Sequence, residues 1–216
     1  MLVLQRQTGL GLASVLLLTA GLLSNARAAE PKLKSPLNVS GKFLTLISPQ
    51  RAAKFAKTDL TFELWVRPNK VAVNRARCNI FCLTNRGGSD VKSISLSLHK
   101  GRIHCTVLGA YIAASNATKL PQDKWTHVAL TLNTKTVNKR ARLWINGKRV
   151  AQILVPEPFP TSFYYAGLFG DPWIGTRILT GSAANIRLSK TVRYTKAFKP
   201  PVTIKRDAQT LVILPK

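Results

Sequence analysis

Eight carboxylates, three histidines and three cysteines are the residues of this 216-residue chain that could support acid–base, metal or redox chemistry. Hydrolysis of a glycosidic bond needs two carboxyl groups roughly 5 to 9.5 Å apart. The acidic residues are Glu30, Asp59, Glu63, Asp90, Asp123, Glu157, Asp171 and Asp207. Asp59 and Glu63 are the closest pair in sequence, yet on an extended strand they stand about 13 Å apart, beyond that reach. His99 and His104 straddle a hairpin, and no acidic or cysteine cluster completes a metal site around them at the usual spacing. Asp171 alone, in so positive a field, is a weak calcium ligand. No catalytic residue, metal ligand or cofactor is therefore assigned.

Cys78 and Cys82 are also about 13 Å apart on one strand, too far for a disulfide. Two readings stay open: a bridge from Cys105 to one of them with one thiol left over, or three buried thiols acting as small hydrophobes.

Binding chemistry is better represented. The segment 156–173 carries Phe159, Phe163, Tyr164, Tyr165, Phe169 and Trp173 among prolines and glycines. Rings on such a loop either stack on sugar faces and anchor a partner, or fold back as a hydrophobic lid. Tyr164, Tyr165 and Trp173 are the candidate platforms, and nearby Arg177 could hold an anionic group in bidentate fashion. Trp65, Trp125 and Trp144 fall on strands and are assigned to packing.

The elements that must position these groups are almost all of period two. Phe43 to Ile47, Thr61 to Arg67, Asn79 to Thr84, Ser93 to His99, Arg102 to Leu108, Thr126 to Asn133, Arg140 to Asn146, Lys148 to Leu154 and Asn185 to Ser189 alternate or are β-branched and aromatic, which predicts strands. Lys100-Gly101 and Asn146-Gly147 mark tight hairpin turns. Only Pro49 to Lys57 has helical character. Short strands separated by turns predict an all-β antiparallel sandwich of jelly-roll type. Alternation places Glu63 on one face with Thr61, Trp65 and Arg67, and Arg187 on the matching face of the closing strand. A Glu63–Arg187 ion pair is expected there, with a ligand contact as the sharper reading of Arg187.

Residues 1–28 read as an export signal: Arg6 in the n-region, an uncharged apolar run from Leu10 to Leu23, and Ala26-Arg27-Ala28 at the cleavage position. The run is shorter than the roughly 20 residues that span a hydrocarbon core, so no membrane span is expected after cleavage. Residues 29–37 are expected to be a flexible tail and 38–216 one domain. The chain is then secreted, periplasmic or held at the cell surface. Lys and Arg number 33 against 8 Asp and Glu. The charge reads either as attraction to a polyanion or as a solubility device, because the basic residues never form a run of five or six. The chain shows no nucleic-acid reading motif, so nucleic acid is not expected as a partner.

Several segments resemble a known family. Ser40-Gly41-Lys42-Phe43-Leu44-Thr45-Leu46 followed by Thr58-Asp59-Leu60-Thr61-Phe62-Glu63-Leu64-Trp65-Val66-Arg67-Pro68 is similar to the opening strands of LamG-like jelly-roll domains of the concanavalin A-like lectin/glucanase superfamily. Lys124-Trp125-Thr126-His127-Val128-Ala129-Leu130, Arg142-Leu143-Trp144-Ile145-Asn146-Gly147-Lys148, Ile186-Arg187-Leu188-Ser189-Lys190 and Val192-Arg193-Tyr194-Thr195 resemble later motifs in the same order. Where that family commonly has an Asp-Glu pair before the closing Arg, this chain has Ala184-Asn185, two carboxylates fewer. The resemblance implies a sugar- or protein-binding module; together with the basic charge and the lack of a suitably spaced carboxylate pair, it leads to the expectation of a non-catalytic binding module for carbohydrate, an anionic polysaccharide or envelope polymer. The alternative is a protein–protein interaction or assembly module of the cell surface.

Overall fold

The computed structural model describes residues 30–39, 43–47, 58–84, 93–113, 119–135, 139–155, 163–170 and 177–214. Its strands are β1 (Leu37–Asn38), β2 (Leu44–Ile47), β3 (Leu60–Pro68), β4 (Cys78–Thr84), β5 (Ile94–His99), β6 (Arg102–Val107), β7 (Ala110–Ala113), β8 (Thr126–Asn133), β9 (Arg140–Ile145), β10 (Lys148–Leu154), β11 (Tyr165–Leu168), β12 (Gly181–Ser189) and β13 (Thr210–Leu214). One sheet runs β1-β12-β3-β8-β9-β10, with β13 also on β12; the other runs β2-β11-β4-β5-β6-β7. All named strand pairs are antiparallel, the architecture expected from the alternation.

Alternation decides which side of each strand faces the core. On β3, Leu60, Phe62, Leu64 and Val66 enter the core, and on β5 Ile94, Leu96 and Leu98 do so. Phe62 and Phe81 stack at 4.2 Å between ring centroids and so join the two sheets. Burying such rings is worth about 1.5–3 kcal/mol each.

The hairpins β5–β6 and β9–β10 turn on Lys100-Gly101 and Asn146-Gly147, all four residues at positive φ. That is the pattern of the type I′ turn, whose twist matches the flanking strands. Leu108-Gly109, also at positive φ, joins β6 to β7 in the same way. Leucine is rare in that conformation, so β7 carried no turn signal.

Other elements also lay beyond sequence periodicity. A single turn of helix, α1 (Lys70–Asn74), is started by Asn69, whose side chain accepts the Ala72 N–H. The segment expected to be an aromatic loop contains strand β11, lodged between β2 and β4. Phe163 and Phe169, at its two ends, are fully buried in the core. The helical stretch expected at Pro49 to Lys57 lies outside the described residues.

Cys78, Cys82 and Cys105 are all buried thiols outside any disulfide. The bridge from Cys105 is thereby corrected: β5 lies between β4 and β6. Two strand spacings of about 4.8 Å exceed what a disulfide can close.

Candidate ligand-binding site

The outer face of the seven-stranded sheet carries a buried polar network. Arg187 and Glu63 are cross-strand partners on β12 and β3. Arg187 Nε donates to Glu63 Oε1 at 2.8 Å and Nη2 to the same oxygen at 2.5 Å. On the other side of the carboxylate, His127 Nε2 lies 3.2 Å from Oε2 and the Tyr194 hydroxyl donates to it at 2.7 Å. Burial raises the Glu63 pKa, but the His127 hydrogen bond, the Arg187 charge and the Tyr194 bond together hold it below the ordinary carboxylate value. Burial and the Glu63 charge push the Tyr194 phenol up.

This face is closed by the chain's own C-terminal strap. Thr61 Oγ1 donates to Thr191 O at 2.6 Å and accepts the Arg193 N–H at 2.9 Å. Tyr194 and Phe198 stack at 3.5 Å, and Phe198 meets the edges of Trp144 and His127. Trp65 Nε1 donates to Pro201 O at 2.8 Å, and Asn185, at positive φ in the β12 bulge, donates to Val202 O at 2.7 Å. The expected Glu63–Arg187 pair is therefore present, and Arg187 lies beneath the strap, 8% exposed.

The other sequence candidates are dispersed. Tyr165 begins β11 and is buried, its ring 5.5 Å from that of Phe43. Tyr164 is 36% exposed and hydrogen-bonds through its backbone to Thr84. Arg177 accepts the Asn79 N–H on its carbonyl, extending the sheet beside β4. Trp173 lies outside the described residues. Tyr164 and Tyr165 are adjacent on the chain, but their exposures differ: one ring is half open and the other is packed.

What the sequence reading passed over is a cavity of about 410 Å³ at the β5–β6 hairpin, lined by Ala76, His99, Lys100, Arg102, His104 and Lys119. Cross-strand register makes it: His99 pairs Arg102, Ser97 pairs His104, and Lys119 bridges Arg102. The two imidazoles stack at 4.4 Å, with Tyr111, 48% exposed, tilted against His104 and its hydroxyl 3.4 Å from His99 Nδ1. His104 Nδ1 is buried and has no hydrogen-bond partner among the described residues. Burial and the charges of Arg102 and Arg77 lower the His104 pKa. Among the described residues no carboxylate lines the cavity. The signal for it was in the sequence, as two histidines flanking a Lys-Gly turn with cations between, but it became a site only through the pairing register.

Of the described carboxylates, Asp59, Glu63, Asp123 and Asp207 have structural partners instead. Asp59 accepts the Thr134 N–H, and Asp207 accepts from Arg193, Thr210 and the Gln209 N–H. Among the described residues no group of three His, Cys, Asp or Glu is placed to hold a metal ion. No helix there is long and apolar enough to cross a membrane.

No curated protein sequence matches the chain. Among solved structures, it is similar to the CBM40 of the Ruminococcus gnavus IT-sialidase bound to α2,3-sialyllactose, with a TM-score of 0.59 and 18% identity over 75% of this chain and 92% of that one. A putative carbohydrate-binding protein from Bacteroides ovatus gives 0.55 and 18%, over 73% of this chain and 43% of that one. Domain 4 of the extracellular arabinanase AbnA from Geobacillus stearothermophilus, in complex with arabinotriose, gives 0.54 and 16%, over 76% and 74%. At such identities these likenesses speak for the fold. The family model for Laminin_G_3, described as the concanavalin A-like lectin/glucanases superfamily, matches residues 45–195, and the chain belongs to that family.

Proposed function

We propose that this protein is an exported, non-catalytic binding module whose ligand is an anionic carbohydrate. The observation that carries the reading is the cavity at the β5–β6 hairpin, walled among the described residues by three lysines or arginines, two histidines and one alanine. Arg102, Lys100 and Lys119 supply fixed positive charge, the imidazoles supply adaptable donors, and the exposed Tyr111 ring offers a surface for a sugar face. Three solved relatives support a sugar ligand, since they are carbohydrate-binding by name or were solved with sialyllactose or arabinotriose. Among the described residues the cavity has no pair of carboxylates, which supports binding without hydrolysis. The leader at residues 1–28 supports export.

The test is a glycan array with the chain expressed without residues 1–28, at about 0.05 and 0.5 M salt, which separates screened charge from a shaped site. Binding to particular acidic glycans that survives high salt and is lost in Arg102→Gln/Lys119→Gln sustains the proposal. Binding to every polyanion that vanishes with salt overturns it, and self-association without glycan binding moves the protein to an assembly role.

A further inference from the structure

We propose that Arg142 and Arg149, held by Gln152, together with Arg140 further along β9, form a second and separate site for the sulfate or carboxylate groups of an acidic polysaccharide. It lies on the seven-stranded sheet, whereas the hairpin cavity lies on the six-stranded one.

On β9 the core takes Ala141 and Leu143, so Arg140 and Arg142 face outward, about 6.8 Å apart by the strand rise. Gln152 is the cross-strand partner of Arg142, and a register shift between Arg149 and Ala151 occurs where the neighbouring strand carries Arg149. Gln152 Oε1 accepts from Arg142 Nε at 2.9 Å and from Arg149 Nη1 at 3.2 Å. Two guanidinium groups are thus aimed by one neutral oxygen.

That neutrality is the argument. The two arginines tied to the C-terminal strap each have a carboxylate, Arg187 with Glu63 and Arg193 with Asp207, whereas Arg67 and Arg75 spend a donor on a backbone carbonyl. Among the described residues no carboxylate lies within ion-pair distance of Arg140, Arg142 or Arg149. Asp59, beyond the end of β8 that pairs with Arg140, is bound to Thr134. A carbonyl oxygen holds the planar donors in place but leaves their charge uncompensated, which is what an anion site requires. Burial and the charges of Arg149 and Arg140 act against the Arg142 cation, and a bound anion relieves that repulsion.

The surroundings favour a polysaccharide. Leu154, 64% exposed, is the cross-strand partner of Arg140 and offers an apolar contact to a pyranose ring. Trp144, the aromatic on this face of β9, is 1% exposed beneath Phe198, so it gives no platform for the bases of a single-stranded nucleic acid.

The probe is a chondroitin sulfate hexasaccharide at 0.15 M salt, with inorganic sulfate and an uncharged hexasaccharide as the other arms, read by calorimetry and by the Nε–Hε resonances of Arg142 and Arg149. Saturable shifts of both resonances with the sulfated hexasaccharide are expected, weaker with sulfate alone and none with the uncharged sugar. Replacing all three arginines by lysine keeps net charge and is expected to weaken this binding at least tenfold. Gln152→Glu supplies an internal counter-charge, so it is expected to raise the denaturation midpoint while abolishing the shifts. Lys70→Gln, on the exposed helix α1, makes the same charge change and is expected to do neither. Unchanged affinity in the lysine variant, or a Gln152→Glu effect no larger than that of Lys70→Gln, overturns the proposal. Arg102→Gln/Lys119→Gln, which tests the hairpin cavity, leaves these resonances and their shifts intact, so the two readings fail separately.

Discussion

Arg187 and Glu63 face each other directly across β12 and β3, and two donors of the guanidinium converge on one carboxylate oxygen. The pair sits under a strap, with Glu63 at 0% and Arg187 at 8% exposure. Removing one partner of a buried pair leaves the other charge without compensation, at about 3–5 kcal/mol. Glu63→Leu and Arg187→Met are each expected to cost that much in urea denaturation, while the double variant Glu63→Leu/Arg187→Met recovers most of it. A double-mutant cycle without coupling would mean that the pair does not hold the sheet.

The same carboxylate gives the fold an acid limit. Its pKa in the folded protein lies below the ordinary 4.5. Its contribution is therefore complete above pH 4.5 or so and is lost as pH falls through the folded-state value. Stability measured from pH 6 to pH 3 is expected to fall in the wild type and to fall less steeply in Glu63→Gln. Parallel slopes would place the acid sensitivity elsewhere.

Gly147 is where the strap rests on the sheet. A Cβ there would come 1.8 Å from the Phe198 carbonyl oxygen, and its φ of +76° already favours glycine. Phe198 in turn donates its N–H to Gly147 O at 3.0 Å. Gly147→Ala is expected to cost about 1–3 kcal/mol and to speed hydrogen exchange at the Phe198 amide. An unchanged midpoint and protected amide would show that the strap does not dock there.

The contrast between these contacts shows what a sequence can carry. The alternation around Glu63 and Arg187 was enough to predict their pairing, because each face is fixed by its own strand. Asn146-Gly147 announced its turn for the same local reason. Tyr194 and Phe198 gave no such sign: Tyr194 docks on Glu63, 131 positions away, and Phe198 on Gly147, Trp144 and His127 of other strands. β11 was hidden because Tyr165 to Leu168 is short and includes Gly167, whose missing side chain makes room for the Tyr165 ring. The hairpin cavity needed the β5–β6 register together with Lys119 from a distant segment, and no periodicity encodes that.

The three cysteines provide a chemical check on the packing. Their relative exposures are 0%, 3% and 0% for Cys78, Cys82 and Cys105. Burial raises the pKa of Cys78 and Cys105, which suppresses the reactive thiolate. An Ellman titration is expected to find almost no fast-reacting thiol in the native protein and all three in guanidinium, with no disulfide-linked species on a non-reducing gel. A fast native thiol would place one cysteine at the surface.

His104 gives the hairpin cavity a pH dependence whose sign is fixed. In the free protein burial comes first, then Arg102 and Arg77, in lowering its pKa from 6.5. His99 stacks on it, Tyr111 from β7 tilts against it, and Lys100 and Lys119 line the same wall, so every charged neighbour named there is positive. Without ligand, the folded protein holds fewer protons than the unfolded chain near this pH, and stability falls as pH drops through 6.5. An anion in the cavity offsets the repulsion and raises the His104 pKa, so its binding takes up a proton. Affinity for an acidic oligosaccharide is therefore expected to rise from pH 7.5 to pH 5, by no more than about tenfold per pH unit for one proton. His104→Gln removes that rise while leaving the affinity at pH 7.5 within a few-fold of wild type. Affinity that is flat with pH in the wild type, or that rises equally in His104→Gln, would take the anion out of this cavity.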